Sequence, residues 1–261
     1  GSQIAVMAAE KEFSALLQKI AQLDKENSQI NWDSTISNLE RNIVAKWKRA
    51  VKNHFKKQPL SDKEKALCKS LNIPLEKFDY INGEKEADTL SDAQKLKSPE
   101  NAIEKLYGTT LISCLYIPRL VLTNTEECSL WIAIQIGDGI CLAKRANGEF
   151  FSPIKDDDEQ GFGITKSLCS NNAVNDFRHS FGFNTLEYIC ACSDGVQDSF
   201  TPDGLKNFTN DIYQNIQTYG AEREQAELED FFPRLSEQGS GDDVSLAGIF
   251  AKNKSMGGID L

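Results

Sequence analysis

This 261-residue sequence predicts an α+β fold: a helical N-terminal region, then a largely antiparallel sheet covered by helices. Two observations predict it. Apolar residues recur at helical spacing through the first part of the chain, and from Thr109 onward they gather instead into short β-branched and aromatic runs. A third observation, the lack of any internal repeat or interdomain linker, argues for one domain over 1–261 rather than two modules.

The first helix is marked by Ile4, Met7, Phe13, Leu16, Leu17, Ile20 and Leu23, with no Pro or Gly among them. A second begins at Asp33 or Ser34, a capping residue, and carries Ile36, Leu39, Ile43, Trp47 and Val51 on one stripe as far as about Lys57. Ser61 and Glu64 have capping-box spacing and open a third helix that ends near Leu71. A fourth starts at Ser98-Pro99, with Gly108 placed to cap its end. The runs "TTLISCLYI", "SLWIAIQI", "ICLAKR", "LEYICACS" and "VSLAGIF" read as strands, with helices over 203–217 and 221–232 between the last two. Residues 83–98 and "KDDDEQGFG" at 155–163 read as exposed loops.

Composition narrows the function. Against 29 Lys and Arg stand 39 Asp and Glu, a formal charge of −10, so a phosphate backbone is repelled and a nucleic-acid partner is not expected. The one basic tract, Lys46 to Lys57, reads as the solvated face of an amphipathic helix. No stretch approaches the roughly 20 apolar residues that span a bilayer, so no membrane partner is expected either. Seven cysteines without a C-x-x-C pair suit a reducing cytoplasm, and Cys190 and Cys192 alternate along one strand toward the core. With only His54 and His179, each read as a surface or loop residue, His-based nucleophilic catalysis has little material. Gly-x-Ser-x-Gly and the phosphate-loop pattern are absent. Trp47 and Trp131 read as packing residues rather than as a ligand platform.

What remains is carboxylate chemistry. Three places set aspartate beside glycine at the end of an apolar strand: Gly137-Asp138-Gly139, Asp194-Gly195, and "GSGDD" ending in Asp242-Asp243. Glycine permits tight turns and close approach, while aspartate offers hard oxygen donors. Alone, Gly137-Asp138-Gly139 reads as a hairpin turn joining two strands, and Asp156 to Asp158 read as a solvated loop. Converging at one sheet edge, such corners would suit Mg²⁺ or Mn²⁺, and a pair of ions could hold a phosphoryl group and activate water.

The ordered set "YGTTLISCLYI", "IAIQIGDGICLAKRANGEF", "ICACSDGVQDSF" and "GSGDDVSLAGIF" resembles the metal-dependent serine/threonine protein phosphatases of type 2C, especially their bacterial branch. The resemblance covers roughly residues 105–250, with "SDGVQD" and "GDDVSLA" its most specific parts. It implies a β-sandwich flanked by helices in α-β-β-α layers and a centre of two Mg or Mn ions acting on phosphorylated protein substrates. It implies Asp194 and Asp242 as direct metal ligands and Asp138 as a ligand to a weaker third ion. Asp243 falls behind the ligands, Gly195 serves the turn, and Asp198 matches a motif aspartate of structural role.

The family normally opens with two strands that carry further metal-binding aspartates and a phosphate-gripping arginine, whereas this sequence opens on the helix that follows them. The expectation is therefore a type 2C domain lacking its N-terminal strands, either shortened or having lost them. It carries a helical insertion over about 30–100, binds metal weakly or not at all, and is impaired as an enzyme. Two rival readings are a catalytically inactive regulatory or protein-binding module of the same fold, and a helical scaffold that uses Lys46 to Lys57 for an acidic partner.

Overall fold

The computed structural model of the protein describes residues 1–26, 30–70, 99–121, 127–155 and 165–252. The loops expected over 83–98 and around Asp156 to Asp158 lie outside these residues. Helices α1 (Ser2–Glu26), α2 (Trp32–Lys57), α3 (Asp62–Ser70) and α4 (Pro99–Leu106) precede strands β1 (Leu111–Leu120), β2 (Cys128–Ile136), β3 (Ile140–Arg145) and β4 (Phe150–Phe151). A short α5 (Ala173–Asp176), β5 (Arg178–Gly182) and β6 (Leu186–Cys192) follow. The chain continues through α6 (Asp194–Asp198), α7 (Pro202–Tyr219) and α8 (Ala221–Gln238) to β7 (Leu246–Phe250).

The strands form two antiparallel sheets, ordered β1-β2-β5 and β4-β3-β6-β7. Strand period two sorts the side chains of β2 into two cores. Leu130, Ile132, Ile134 and Ile136 face α1 and α2, where they meet Phe13, Ile20, Ile36, Ile43 and Trp47. Trp131 and Ala133 face the second sheet and pack with Cys141, Ala143 and Ile189. On the outer side of that sheet Leu142, Tyr188, Cys190 and Cys192 are covered by Leu205 and Tyr213 of α7. The result is the expected α-β-β-α layering, with Cys190 and Cys192 directed inward as their spacing predicts.

Local signals account for most boundaries. The Ser61–Glu64 capping box forms, with Ser61 N donating to Glu64 Oε2 at 2.7 Å and Glu64 N to Ser61 Oγ at 3.3 Å. Helix α2 is capped earlier than expected, by Asn31 rather than Asp33 or Ser34, its Oδ1 accepting from Ser34 N at 3.0 Å, and this brings Trp32 into the helix and the core. Helix α8 runs through Pro233 to Gln238 instead of stopping at 232. In α1, Met7 and Leu17 are exposed, while Ala5, Ala8 and Ala9 supply the buried stripe that lets α2 approach closely.

The basic tract is not simply solvated. Lys46 pairs with buried Glu12 of α1, and Lys48 with buried Glu104 of α4 at 2.9 Å. Lys52 adds a longer contact to the same Glu104, at 3.8 Å. Half of this positive face is thus spent internally, tying α2 to its neighbours.

His179 is likewise no surface or loop residue. It sits in β5, and its Nδ1 lies 2.9 Å from Glu40 Oε1 of α2. Glu40 is only 3% exposed, and burial raises its carboxyl above the ordinary range, with the nearby His179 opposing the shift. Replacing His179 by alanine strands a buried carboxyl and is expected to cost about 1–3 kcal/mol. Because the folded-state value of Glu40 lies above its unfolded one, its contribution is complete below the unfolded value and is lost as pH rises through the folded one. Glu40→Gln should therefore gain stability relative to the parent as pH is raised. Urea unfolding at mildly acidic and mildly alkaline pH checks this, and a difference independent of pH contradicts it.

Candidate metal centre

The three acidic corners meet because the strands that lead to them are in register. Ile140, at the start of β3, pairs with Cys192, at the end of β6, and Cys192 pairs in turn with Leu246, at the start of β7. Asp138, Asp194 and Asp242-Asp243 therefore leave the second sheet at the same end. Ser193 fastens two of them: its backbone N donates to Ser245 O at 3.0 Å and its Oγ to Asp243 O at 3.0 Å.

Two glycines let the corners touch. At Gly139 (φ +81°) an added Cβ would lie 2.6 Å from Cys192 O and 3.4 Å from Asp194 N. At Gly195 it would collide with Asp243 O and lie 3.3 Å from the Asp242 carbonyl carbon. Gly195 is thus required for close approach rather than for a turn, since it sits in the first turn of α6.

Gly137-Asp138-Gly139 is not a hairpin turn within one sheet. Strand β2 pairs with β1 and β5, and β3 with β4 and β6, so the corner carries the chain from one sheet to the other. Two side chains hold its backbone, and neither was singled out from sequence. Buried Gln135 directs Nε2 at the carbonyls of Gly137, Asp138 and Gly139, at 3.2, 3.3 and 3.0 Å. Arg178 donates to Gly137 O at 2.9 Å and, with its other terminal nitrogen, to Lys155 O at 2.8 Å. No sequence motif marks either one, because main-chain carbonyls have no side-chain signature and those of Arg178 also lie far along the chain.

The electrostatics follow from this crowding. Partial burial raises the Asp194 carboxyl above its ordinary range, the Gly195 amide opposes the shift, and the charges of Asp138, Asp242 and Asp198 add to it. Three of the corner carboxylates have one oxygen engaged: Asp194 Oδ1 accepts from Gly195 N at 2.9 Å, Asp242 Oδ1 from Asp243 N at 2.7 Å, and Asp138 Oδ2 from Thr165 Oγ1 at 2.9 Å. Among the described residues no group of three or more His, Cys, Asp or Glu side chains is drawn tightly enough to hold an ion. The corner thus fits a cation in charge and donor type, as mutually repelling hard oxygens do, but as an open set rather than a closed cage.

Fold and corner together define a four-layer α-β-β-α protein with a carboxylate-lined rim where its sheets join. The chain belongs to the protein phosphatase 2C family, whose model matches residues 1–233. That match takes in Asp138 and Asp194 and ends before Asp242 and Asp243. No curated protein matches the chain.

Proposed function

We propose that this protein hydrolyses phosphoserine or phosphothreonine on protein partners, with Mg²⁺ or Mn²⁺ held through Asp194 and Asp242 and a weaker ion through Asp138. The observation that carries the reading is the packing of the three acidic corners on one another through Gly139 and Gly195. Bound ions of this kind lower the pKa of coordinated water and neutralise charge on the phosphoryl oxygens. The chain's own share is positional. Gln135 and Arg178 fix the backbone that presents Asp138, Ser193 and Gly195 lock Asp194 against Asp242-Asp243, and the carboxylates supply the negative charge a cation relieves. A reducing, cytoplasmic setting is supported by seven cysteines that are all free thiols, and none of the described helices is long and apolar enough to cross a membrane. We read 1–261 as one unit, with α2 as cover for the first sheet.

The test is manganese-dependent release of phosphate from a phosphothreonine peptide. No release with either Mn²⁺ or Mg²⁺ would overturn the catalytic reading. A second reading, an inactive module of the same fold, is favoured by the hydrogen bonds that already engage Asp138, Asp194 and Asp242. Under it, calorimetry detects no Mn²⁺ binding that depends on Asp194.

A further inference from the structure

Helix α7 covers the second sheet, α8 packs beside α7, and between the two helices lies a groove of about 490 Å³. Its floor is apolar, formed by Phe208 and Ile212 from α7 and by Leu228 and Phe231 from α8, with the Phe208 and Phe231 rings 5.8 Å apart. Asp211, Glu227 and Asp230 line the same groove and are exposed. Beneath them Glu224 is 5% exposed and is hydrogen bonded to Asn215; burial raises its carboxyl, and the charges of Glu227 and Asp211 add to that.

The cations nearby do not balance this charge. Arg234 is the lining cation, and its Nε donates to the Asp230 main-chain carbonyl at 3.3 Å instead of to a carboxylate. Arg223 pairs with Glu227 at 3.0 Å across one turn of α8, an exposed contact of the kind that contributes little. An apolar trough with a negative rim complements a polypeptide that presents apolar anchors flanked by lysine or arginine, and it repels a nucleic acid.

We propose that the α7–α8 groove docks a basic, apolar-anchored segment of a protein partner, separate from the acidic corners but continuous with them along α8. The continuity is covalent and short: Arg234 lines the groove, and two residues later Ser236 donates to Asp242 O at 2.7 Å. A segment seated there is held on the helix that ends at the Asp242 corner. Only the identification of that partner as a phosphorylated substrate rests on the catalytic reading above.

The test uses a fluorescein-labelled, unphosphorylated peptide of Lys, Leu and Ala, with Leu at helical spacing, titrated with the full chain at low and high salt. Binding should weaken as salt rises, and Asp211→Lys combined with Asp230→Lys should weaken it about tenfold or more. Leu228→Ala, which keeps every charge, should also weaken it, and Asp194→Ala should leave it unchanged. Undiminished binding by the charge-reversed protein would overturn the proposal, as would equal binding of a peptide with Glu in place of Lys. Self-association of the chain that the same double substitution abolishes would overturn it in favour of a second copy as occupant. Phosphate release is scored separately on the phosphothreonine peptide: docking of the unphosphorylated peptide without that release would sink the catalytic reading alone, and that release without docking would sink the groove alone.

Discussion

Asp194→Ala is expected to reduce manganese-dependent hydrolysis of a phosphothreonine peptide by at least about 100-fold, equivalent to ~2.7 kcal/mol of barrier. Asp194 feels the charges of both Asp138 and Asp242, so its removal takes away a carboxylate within electrostatic reach of the other two. The loss should not come from unfolding. With its folded value raised, the ionised Asp194 detracts from the stability of the metal-free protein as pH rises past its unfolded value, so the alanine variant should unfold at no lower urea concentration at neutral pH. Reduced activity at an unchanged urea midpoint, with Mn²⁺ affinity reduced in parallel, is the expected pattern. Activity equal to the parent would remove Asp194 from the site, and a large fall in the midpoint would assign it a structural role instead.

Trp47→Ala should produce the largest loss of stability, about 3–5 kcal/mol. The indole is fully buried in the core between α1, α2 and the first sheet, and its Nε1 donates to Gly1 O at 3.4 Å. Against a total stability of about 5–15 kcal/mol for a typical domain, that loss is severe. It also tests the standing of α2, which contributes Ile36, Leu39, Ile43, Val51 and Phe55 to the same core. If α2 were a detachable appendage, the variant would leave the urea midpoint of the sheets almost unchanged. A decrease in one cooperative transition identifies α2 as part of the body of the fold.

Where local chemistry decides an element, the sequence shows it. Strand β3 falls on "ICLAKR" as expected, because a short apolar run opened by Ile140 just after a glycine marks it without help from distant residues. Strand β5 escaped notice because "RHSFG" has no β-branched residue and ends in glycine, a strand-breaking signal. The reason for that glycine lies elsewhere: a Cβ at Gly182 would come within 2.7 Å of the Trp131 indole, a partner 51 residues earlier. The Gly137-Asp138-Gly139 corner misled for a related reason, since a hairpin and a crossing between sheets use the same turn residues, and only strand pairing separates them. The acidic corners themselves were legible because each couples glycine to aspartate at a strand end. Arg178 and the inward pairing of Lys46 and Lys48 were not, because a side chain's partner across the fold leaves no local trace, and Gln135 was not, because a neighbouring main-chain carbonyl has no side-chain signature.

The passage from β2 to β3 takes only three residues, Gly137 to Gly139, with the main chain on both sides clamped by Gln135 and Arg178. A second crossing, residues 183–185 between β5 and β6, joins the same two sheets at the other end. The opposite margin is closed as well: Leu186 N donates to the Tyr116 hydroxyl at 3.1 Å, and Ser129 Oγ lies 3.1 Å from Thr185 Oγ1. A sandwich riveted at both ends gives its rim carboxylates little room to drift apart, and the cation site proposed above would draw on that rigidity.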